Sequence, residues 1–313
     1  MRIAITGGTG FVGRHLAQAL TLSGHEVVLV ARGKDKGSEA LHLPGASFLP
    51  SDLSDVHQLA RAFSGGGAVA HCAGINRELG EQTYDRVHVA GTRNVVEAAR
   101  RAGVGKIVLL SFLRARPDCG SAYHQSKWAA EEIVRASGLD FTILKAGVIY
   151  GRGDHVLDHL SQALRTFPLF ALVGMREKHI RRLAVEDLVR ILRVALLEDR
   201  MSRQTLAVTG PDQLLLGDAV RRVADVVARR PIIFPMPVFF HRVLAFVAER
   251  IMTIPLMAVA QLRILSEGIV EPLPFCDPVP DDLSPRSKFT SDKIRRGLPD
   301  HGPFGCKDLR GCA

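Results

Sequence analysis

The sequence has few cysteines and few aromatic residues, and neither kind is arranged as a binding site. Its five cysteines form no C-x-x-C pair, and no group of histidines has metal-ligand spacing. Structural zinc and a disulfide framework are therefore not expected. Aromatic residues make up 6% of the 313 residues and are not interleaved with basic ones in a stripe, so we expect no nucleic-acid partner. Reduced cysteines and a strand-like segment directly after Met1, which leaves no room for a signal peptide, predict a cytoplasmic location.

The sequence also lacks a long apolar run without charges. Its longest apolar stretch, around residues 231–260, is interrupted by His241, Arg242, Glu249 and Arg250, which argues against a membrane-spanning helix. Folded as helices, the apolar region 238–265 would present a broad apolar face with basic edges. That face could cap a substrate pocket and pack on the N-terminal half. Alternatively, it could attach the protein to the inner face of an anionic membrane, which the net charge of +9 would favour.

Strand-like and helix-like segments alternate through the first half of the chain. Most of the strand-like segments are short, continuous apolar runs, as expected for strands that are buried on both faces of a parallel sheet. This alternation predicts an α/β fold with a doubly wound parallel sheet of the Rossmann type and a smaller, mainly helical C-terminal part. We expect a dinucleotide-binding domain over residues 1–150 and a substrate- or partner-binding part over residues 151–313, with a strand near 204–209 that can return to the sheet.

A glycine-rich turn lies between the first predicted strand and the first predicted helix. Residues 6–13 read T-G-G-T-G-F-V-G, which fits the dinucleotide-binding fingerprint in its proper structural context. Gly7 would allow the tight turn, Gly10 the close approach of a pyrophosphate, and Gly13 the packing of helix on strand. The amides that open the helix would then point at the phosphates. The predicted phosphate-binding residues are Gly7, Thr9, Gly10, Phe11, Val12 and Gly13.

The end of the second predicted strand indicates which dinucleotide binds. No acidic residue stands there to hold the two ribose hydroxyls of NAD; Arg32 does, and it could pair with the 2′-phosphate of NADPH. Arg32 could also be a solvated side chain in a basic loop. Further along, Asp52 and Leu53 would contact the adenine. Ala73 and Gly74 are small enough for the cofactor to lie flat on the sheet edge.

A tyrosine and a lysine lie four residues apart on a predicted helix. Tyr123 and Lys127 therefore share one face of that helix. A nearby ammonium favours the phenolate, so we expect it to bring the pKa of Tyr123 towards the working range of an acid–base catalyst. The same lysine could bond the nicotinamide ribose. Ser111, at the end of the fifth predicted strand, could bond the substrate oxygen.

Together these motifs resemble the extended or atypical short-chain dehydrogenases/reductases over roughly residues 1–210. The segments 87–99 and 185–188 and the helical C-terminus are more narrowly similar to one subgroup. That subgroup contains the NAD(P)H-binding accessory subunit of respiratory complex I and nucleoside-diphosphate-sugar epimerase-like bacterial proteins. The resemblance implies a bound NADPH, in some members with a structural or assembly role instead of turnover.

The sequence departs from the extended family at three places. His88 stands where sugar epimerases have Asn, Lys145-Ala146 replaces Arg-Pro, and Leu113 stands where some relatives have a polar active-site residue. These departures argue against sugar-nucleotide epimerisation. Two functions stay open: an NADPH-dependent oxidoreductase that acts on a carbonyl or alcohol carbon of an unknown small molecule, and an NADPH-stabilised binding or assembly protein.

Overall fold

The computed structural model describes residues 1–33, 39–252, 262, 266–299, 302–305 and 308. The helices are α1 Phe11–Leu22, α2 Val56–Phe63, α3 Gly91–Arg101, α4 Ala122–Arg135, α5 His155–Thr166, α6 Val185–Leu197, α7 Leu216–Val226, α8 Val238–Ile251 and α9 Ser291–Gly297, with a π-helical segment Asp85–Ala90 before α3. The strands are β1 Arg2–Thr6, β2 Glu26–Ala31, β3 Ala46–Pro50, β4 Ala68–His71, β5 Lys106–Phe112, β6 Asp140–Ala146, β7 Val148–Tyr150, β8 Leu169–Val173, β9 His179–Ala184, β10 Gln204–Val208, β11 Gln213–Leu215, β12 Ile232–Met236 and β13 Asp277–Pro278.

The main sheet confirms the predicted Rossmann-type fold. Its eight strands lie in the order β13-β10-β6-β5-β4-β1-β2-β3, and all neighbouring pairs are parallel. Strands β1 and β4 are almost wholly buried, which explains their continuous apolar sequences. The strand order reverses between β1 and β4. Open α/β sheets bind ligands at the carboxyl ends of the strands at such a point.

The chain divides into two compact units that are interleaved along the sequence. The first consists of residues 1–146, 185–208 and 271–284, and the second of residues 147–184, 209–270 and 285–313. A single boundary near residue 150 does not describe this division. The reason is that β10 pairs with β6 and β13 pairs with β10, so later parts of the chain complete the main sheet.

The second unit contains short strands in addition to its helices. One small sheet has the order β11-β9-β7, and β8 pairs with β12. Its core is formed by buried side chains such as Tyr150, Leu157 and Val220. Of the apolar region 238–265, residues 253–261 and 263–265 lie outside the described part of the chain.

Candidate functional site

The turn after β1 has the geometry that a dinucleotide fingerprint requires. Gly7 has φ +69°, and a Cβ there would lie 2.8 Å from the backbone of Ala73 at the end of β4. A Cβ on Gly13 would lie 2.2 Å from the carbonyl oxygen of Gly7. Both positions therefore exclude any side chain. The turn after β1 and the residues after β4 are packed backbone to backbone.

The start of α1 can accept an anion. Gly10 is the N-cap, no side chain caps the helix, and its first turn contains no acidic residue. The first amides of a helix have no partner within it, and the helix dipole favours negative charge there. Phe11 and Val12 supply two of these amides. Thr9, just before them, is buried in the turn. This arrangement fits a pyrophosphate.

Gly8 is a functional glycine that the sequence analysis did not single out. A Cβ at Gly8 would lie 2.8 Å from the Leu29 side chain and 3.0 Å from the Ile5 carbonyl oxygen. Gly8 therefore allows the turn to lie against β2. The glycine pair in the motif is the signal that could have revealed this.

The expected adenine-side residues lie beyond β2 and β3. Arg32 is exposed immediately after β2, and no residue within the described ranges forms a hydrogen bond or ion pair with it. Asp52 accepts hydrogen bonds from the Ser54 amide (3.0 Å) and hydroxyl (2.5 Å) and pairs with Arg86 at 3.1 Å. The Ser54 hydrogen bonds, with Arg86 contributing, hold the pKa of Asp52 below its usual value. Leu53 is buried with φ +73°. An adenine amino group would thus meet a carboxylate that is ionised and already oriented.

Tyr123 lies in the first turn of α4 and is packed among aromatic rings. The rings of Tyr84, His88 and Phe112 lie within 6 Å of its ring. Burial, with the Tyr84 hydroxyl second, raises the pKa of the Tyr123 hydroxyl above its ordinary value. The expected lowering of this pKa by Lys127 is not seen in this structure, where burial and Tyr84 determine the direction of the shift. The hydroxyl stays protonated and is a proton donor.

Lys127 lies one turn further along α4, close to Gly74. A Cβ on Gly74 would lie 2.9 Å from the Lys127 Nζ, which places the ammonium directly against the backbone of this glycine. Burial lowers the pKa of Lys127 to about 8, while Cys72 and Glu131 act in the opposite direction. Within the described part of the chain, no group forms a hydrogen bond or ion pair with the Lys127 ammonium. Its donors can therefore serve a cofactor ribose.

His88 is held as a neutral ring with one tautomer. Its Nε2 accepts a hydrogen bond from the Ile75 amide at 3.1 Å, and its Nδ1 lies 2.9 Å from the Ser126 hydroxyl. Because an amide can only donate, Nε2 carries no proton and Nδ1–H donates to Ser126. Burial, with a smaller contribution from the Lys127 charge, lowers the pKa of His88 to about 2. This ring positions the segment after β4 and the start of α4.

His71 links three elements of the same region. The Thr92 hydroxyl donates to the His88 carbonyl, so it accepts from His71 Nε2–H at 2.9 Å. His71 Nδ1 therefore accepts from the Thr6 hydroxyl at 2.6 Å. Burial lowers the pKa of His71 to about 3. The chain of hydrogen bonds ties the end of β1 to β4 and α3.

Ser111 has a different partner from the one expected. Its hydroxyl donates to Glu131 at 2.5 Å, and Glu131, fully buried, also pairs with Lys145 at 3.2 Å and Arg135 at 2.8 Å. Donation from Ser111 to a substrate carbonyl oxygen would require the hydroxyl to leave this carboxylate. Leu113, two residues further on, is buried and apolar. The structure therefore brings Tyr123 and Lys127 to the end of β4, while it places the Ser111 hydroxyl in a buried ionic cluster.

The fold and this site define a dinucleotide-binding protein of the Rossmann type. The sequence profile of the NAD(P)H-binding family matches residues 7–163, just over half of the chain. The chain belongs to that family.

Curated relatives include an enzyme and a respiratory-chain subunit. The chain is 32% identical over 185 residues to a ceramide reductase of Caulobacter vibrioides, covering 59% of this chain and 57% of that one. It is 27% identical over 242 residues to mitochondrial NADH dehydrogenase (ubiquinone) 1 alpha subcomplex subunit 9 of Mus musculus, covering 76% and 64%. The predicted resemblance to the complex I subunit is thereby confirmed.

The longest match in this group is to a larger protein. An uncharacterized protein of Mycobacterium tuberculosis is 29% identical over 264 residues, which is 84% of this chain and 27% of that protein. The chain thus spans about a quarter of the length of that mycobacterial protein.

Solved structures confirm the fold over nearly the whole chain. The UDP-glucuronic acid 4-epimerase from Bacillus cereus, in complex with UDP-glucuronic acid and NAD, superposes with a TM-score of 0.70 at 17% identity and covers 95% of this chain and 98% of that one. In the described ranges of the present structure, no helix has the length and apolar character needed to cross a bilayer.

Proposed function

We propose that this protein is an NADPH-dependent oxidoreductase of the short-chain dehydrogenase/reductase type, acting on a carbonyl or alcohol carbon. One observation carries the proposal. The Lys127 ammonium, whose pKa burial lowers to about 8, lies beside Gly74 at the carboxyl end of β4, and Tyr123 precedes it by one turn on the same helix. A buried cation one helical turn from a protonated phenol at a dinucleotide site is suited to proton transfer.

The residues around the turn would hold the cofactor. The uncapped start of α1 would bind the pyrophosphate, Arg32 the 2′-phosphate and Lys127 the nicotinamide ribose. When bound, NADPH would supply the hydride. Arg32 is exposed, and no acidic residue stands at the end of β2. Both features support NADPH over NADH.

Tyr123 would donate the proton to the carbonyl oxygen. Burial keeps the hydroxyl protonated before the reaction. Once the proton has left, the phenolate carries a negative charge in a site with little water, and the Lys127 ammonium one turn away would stabilise it. His88 would hold the Gly74–Ile75 segment and the first turn of α4 in register through its bonds to Ile75 and Ser126. It would act by positioning these segments and take no part in proton transfer.

The name of one relative supports the proposal that the substrate is a carbonyl compound. The Caulobacter protein is named a ceramide reductase, and its match with this chain is partial. We extend from it only the reduction of a carbonyl group.

Consumption of NADPH tests the proposal. Wild-type protein is mixed with NADPH and a panel of aldehydes and ketones, and the absorbance of the reduced nicotinamide is followed. At least one carbonyl compound should accelerate its loss, and the Tyr123→Phe variant should not show this acceleration. A wild-type protein that binds NADPH but oxidises none of it across the panel would contradict the proposal.

A second candidate function is that of an NADPH-binding structural or assembly subunit without turnover. The engagement of the Ser111 hydroxyl by Glu131 favours it, since it leaves Tyr123 without the expected polar neighbour. The similarity to a complex I subunit points the same way. In that case NADPH should raise the melting temperature equally in wild type and Tyr123→Phe, and no carbonyl compound should be reduced.

A further inference from the structure

Helix α8 in the second unit exposes most of its apolar side chains. Among the described side chains of α8, the buried ones form a narrow stripe: His241 and Ala245 lie against β8, where His241 Nε2 is 3.3 Å from the Ala171 carbonyl oxygen and Ala245 packs with Val173. The exposed large apolar residues of the helix are Phe239, Phe240, Val243, Leu244, Phe246, Val247 and Ile251, each 43–68% exposed. We call these seven residues the α8 apolar face.

The apolar face lies on one side of the helix, and Arg250, near its C-terminal end, falls within it. At 100° per residue its seven members fall within about 160° of the helix circumference, opposite the stripe that faces β8. Strand β12, which leads into the helix, adds exposed Ile232 and Phe234. So much exposed apolar surface on one helix marks an interaction site, whereas single exposed apolar residues would not.

Two exposed arginines accompany the apolar face. Arg242 lies at its edge, and the Arg250 guanidinium lies 3.6 Å from the centroid of the Phe246 ring, near the C-terminal end of the helix. Long cationic side chains can extend from an apolar surface to reach polar groups. Aromatic side chains beside such cations are typical of helices that lie in the plane of a membrane surface.

The net positive charge of the protein comes from the unit that contains this helix. The first unit contains 21 Lys and Arg against 21 Asp and Glu, and the second contains 20 against 11. The whole net charge of +9 therefore belongs to the second unit. A second copy of this chain would bring the same positive charge to the apolar face, whereas an anionic surface would be attracted to it.

We propose that α8 docks the protein on an anionic lipid bilayer, with its apolar face in the headgroup region. The helix has 14 residues and is about 21 Å long, too short to span the roughly 30 Å hydrocarbon core. It would lie along the surface, and the arginines would meet lipid phosphates. This inference does not depend on the proposed reaction.

Flotation of the full chain with vesicles tests the docking. Vesicles of phosphatidylcholine with one third phosphatidylserine are compared with vesicles of phosphatidylcholine alone, at low and at high salt and without cofactor. The protein should float with the anionic vesicles at low salt and much less at high salt, because salt screens the attraction. A protein that stays in the soluble fraction at low salt, or that binds both vesicles equally, would overturn the proposal.

Two pairs of substitutions test the surface itself. Phe239→Ser with Leu244→Ser should lower the partition coefficient at least tenfold, and Arg242→Gln with Arg250→Gln should lower it about 30-fold at low salt. The matched control is Leu22→Ser with Leu79→Ser, which removes two exposed apolar side chains of the first unit and should leave partition unchanged. Equal effects of control and test pairs would overturn the assignment to α8.

Sedimentation equilibrium distinguishes a lipid surface from a second copy. The wild-type protein should have the same mass as the Phe239→Ser, Leu244→Ser variant. A wild-type dimer that this variant converts to monomer would show that another copy covers the face, and the membrane proposal would fail.

Discussion

The Ile75 amide donates a hydrogen bond to His88 Nε2 over 3.1 Å, and this bond fixes the protonation of the ring. The other ring nitrogen, Nδ1, must then carry the proton and donate to Ser126. In many sites a histidine near a catalytic tyrosine would titrate near neutral pH. Here burial lowers the pKa of His88 to about 2. The neutral ring therefore connects the segment after β4 with α4 through two fixed hydrogen bonds.

The first prediction is that His88 stays neutral with its proton on Nδ1 throughout the range pH 4–8. Protonation would break the bond from Ile75 and place a second cation near Lys127. Nitrogen-15 NMR of labelled histidine checks this across the same pH range. A His88 signal that titrates near pH 6 would contradict the assignment.

The fold and the cofactor motif could be predicted from the sequence because both are local patterns. Apolar runs, the glycine spacing from Gly7 to Gly13 and the pair Tyr123–Lys127 each fall within one or two elements. Each is tied to a known backbone geometry. The structure confirms the sheet and brings the pair to the end of β4.

The partner of Ser111 could not be predicted in this way. Glu131 lies 20 residues away on α4 and Lys145 on β6. Whether these side chains come into contact depends on how α4 crosses the sheet. The spacing of apolar residues along the chain does not determine that crossing. The burial that keeps Tyr123 protonated has the same origin, since its aromatic neighbours come from different segments. For α8 the sequence predicted an amphipathic helix but could not show which face stays exposed.

The second prediction concerns the proton donor. Tyr123→Phe removes the hydroxyl but keeps the ring in its aromatic surroundings, so turnover should fall by about 100- to 10,000-fold, while the dissociation constant of NADPH stays nearly unchanged. Lys127→Ala should weaken both. Tyr84→Phe, which removes a hydroxyl from the neighbouring ring, should retain turnover. Full activity of Tyr123→Phe would assign the acid role to another group.

The third prediction follows from the lowered pKa of Lys127. With a pKa of about 8, the ammonium loses its proton at a pH where an ordinary lysine is still charged. NADPH affinity should therefore be nearly constant below about pH 7 and fall as the pH rises through 8, by about 8- to 25-fold at pH 9.5. Fluorescence titration across pH 7–9.5 measures this change. Lys127→Met should bind weakly with a flat profile, and an equal slope in both proteins would contradict the role of Lys127.

The fourth prediction separates the two roles of Ser111. If its hydroxyl serves Glu131, as the 2.5 Å contact indicates, Ser111→Ala should lower the free energy of unfolding by about 1.5–3 kcal/mol, as expected for a hydrogen bond to a charged group. Turnover should be retained. Urea unfolding and the NADPH assay measure the two effects. Exposed Ser64→Ala should change stability by less than about 0.5 kcal/mol. A stable Ser111→Ala protein without activity would instead assign the hydroxyl to the substrate oxygen.

The last prediction concerns cofactor choice, which rests on Arg32. Its guanidinium is exposed after β2, and no residue of the described ranges pairs with it. A charge-assisted bond to the 2′-phosphate is worth about 1.5–3 kcal/mol, or roughly 10- to 150-fold in affinity. Arg32→Asp should remove most of this preference, whereas Arg61→Asp, the same charge change on exposed α2, should keep it.

Calorimetric titration of the wild-type protein with NADPH and with NADH is the most direct test of the proposed cofactor site. We expect both nucleotides to bind at the turn after β1 and NADPH to bind at least tenfold more tightly. Equal dissociation constants would contradict the choice of NADPH, and a protein that binds neither nucleotide would contradict the proposed oxidoreductase as a whole.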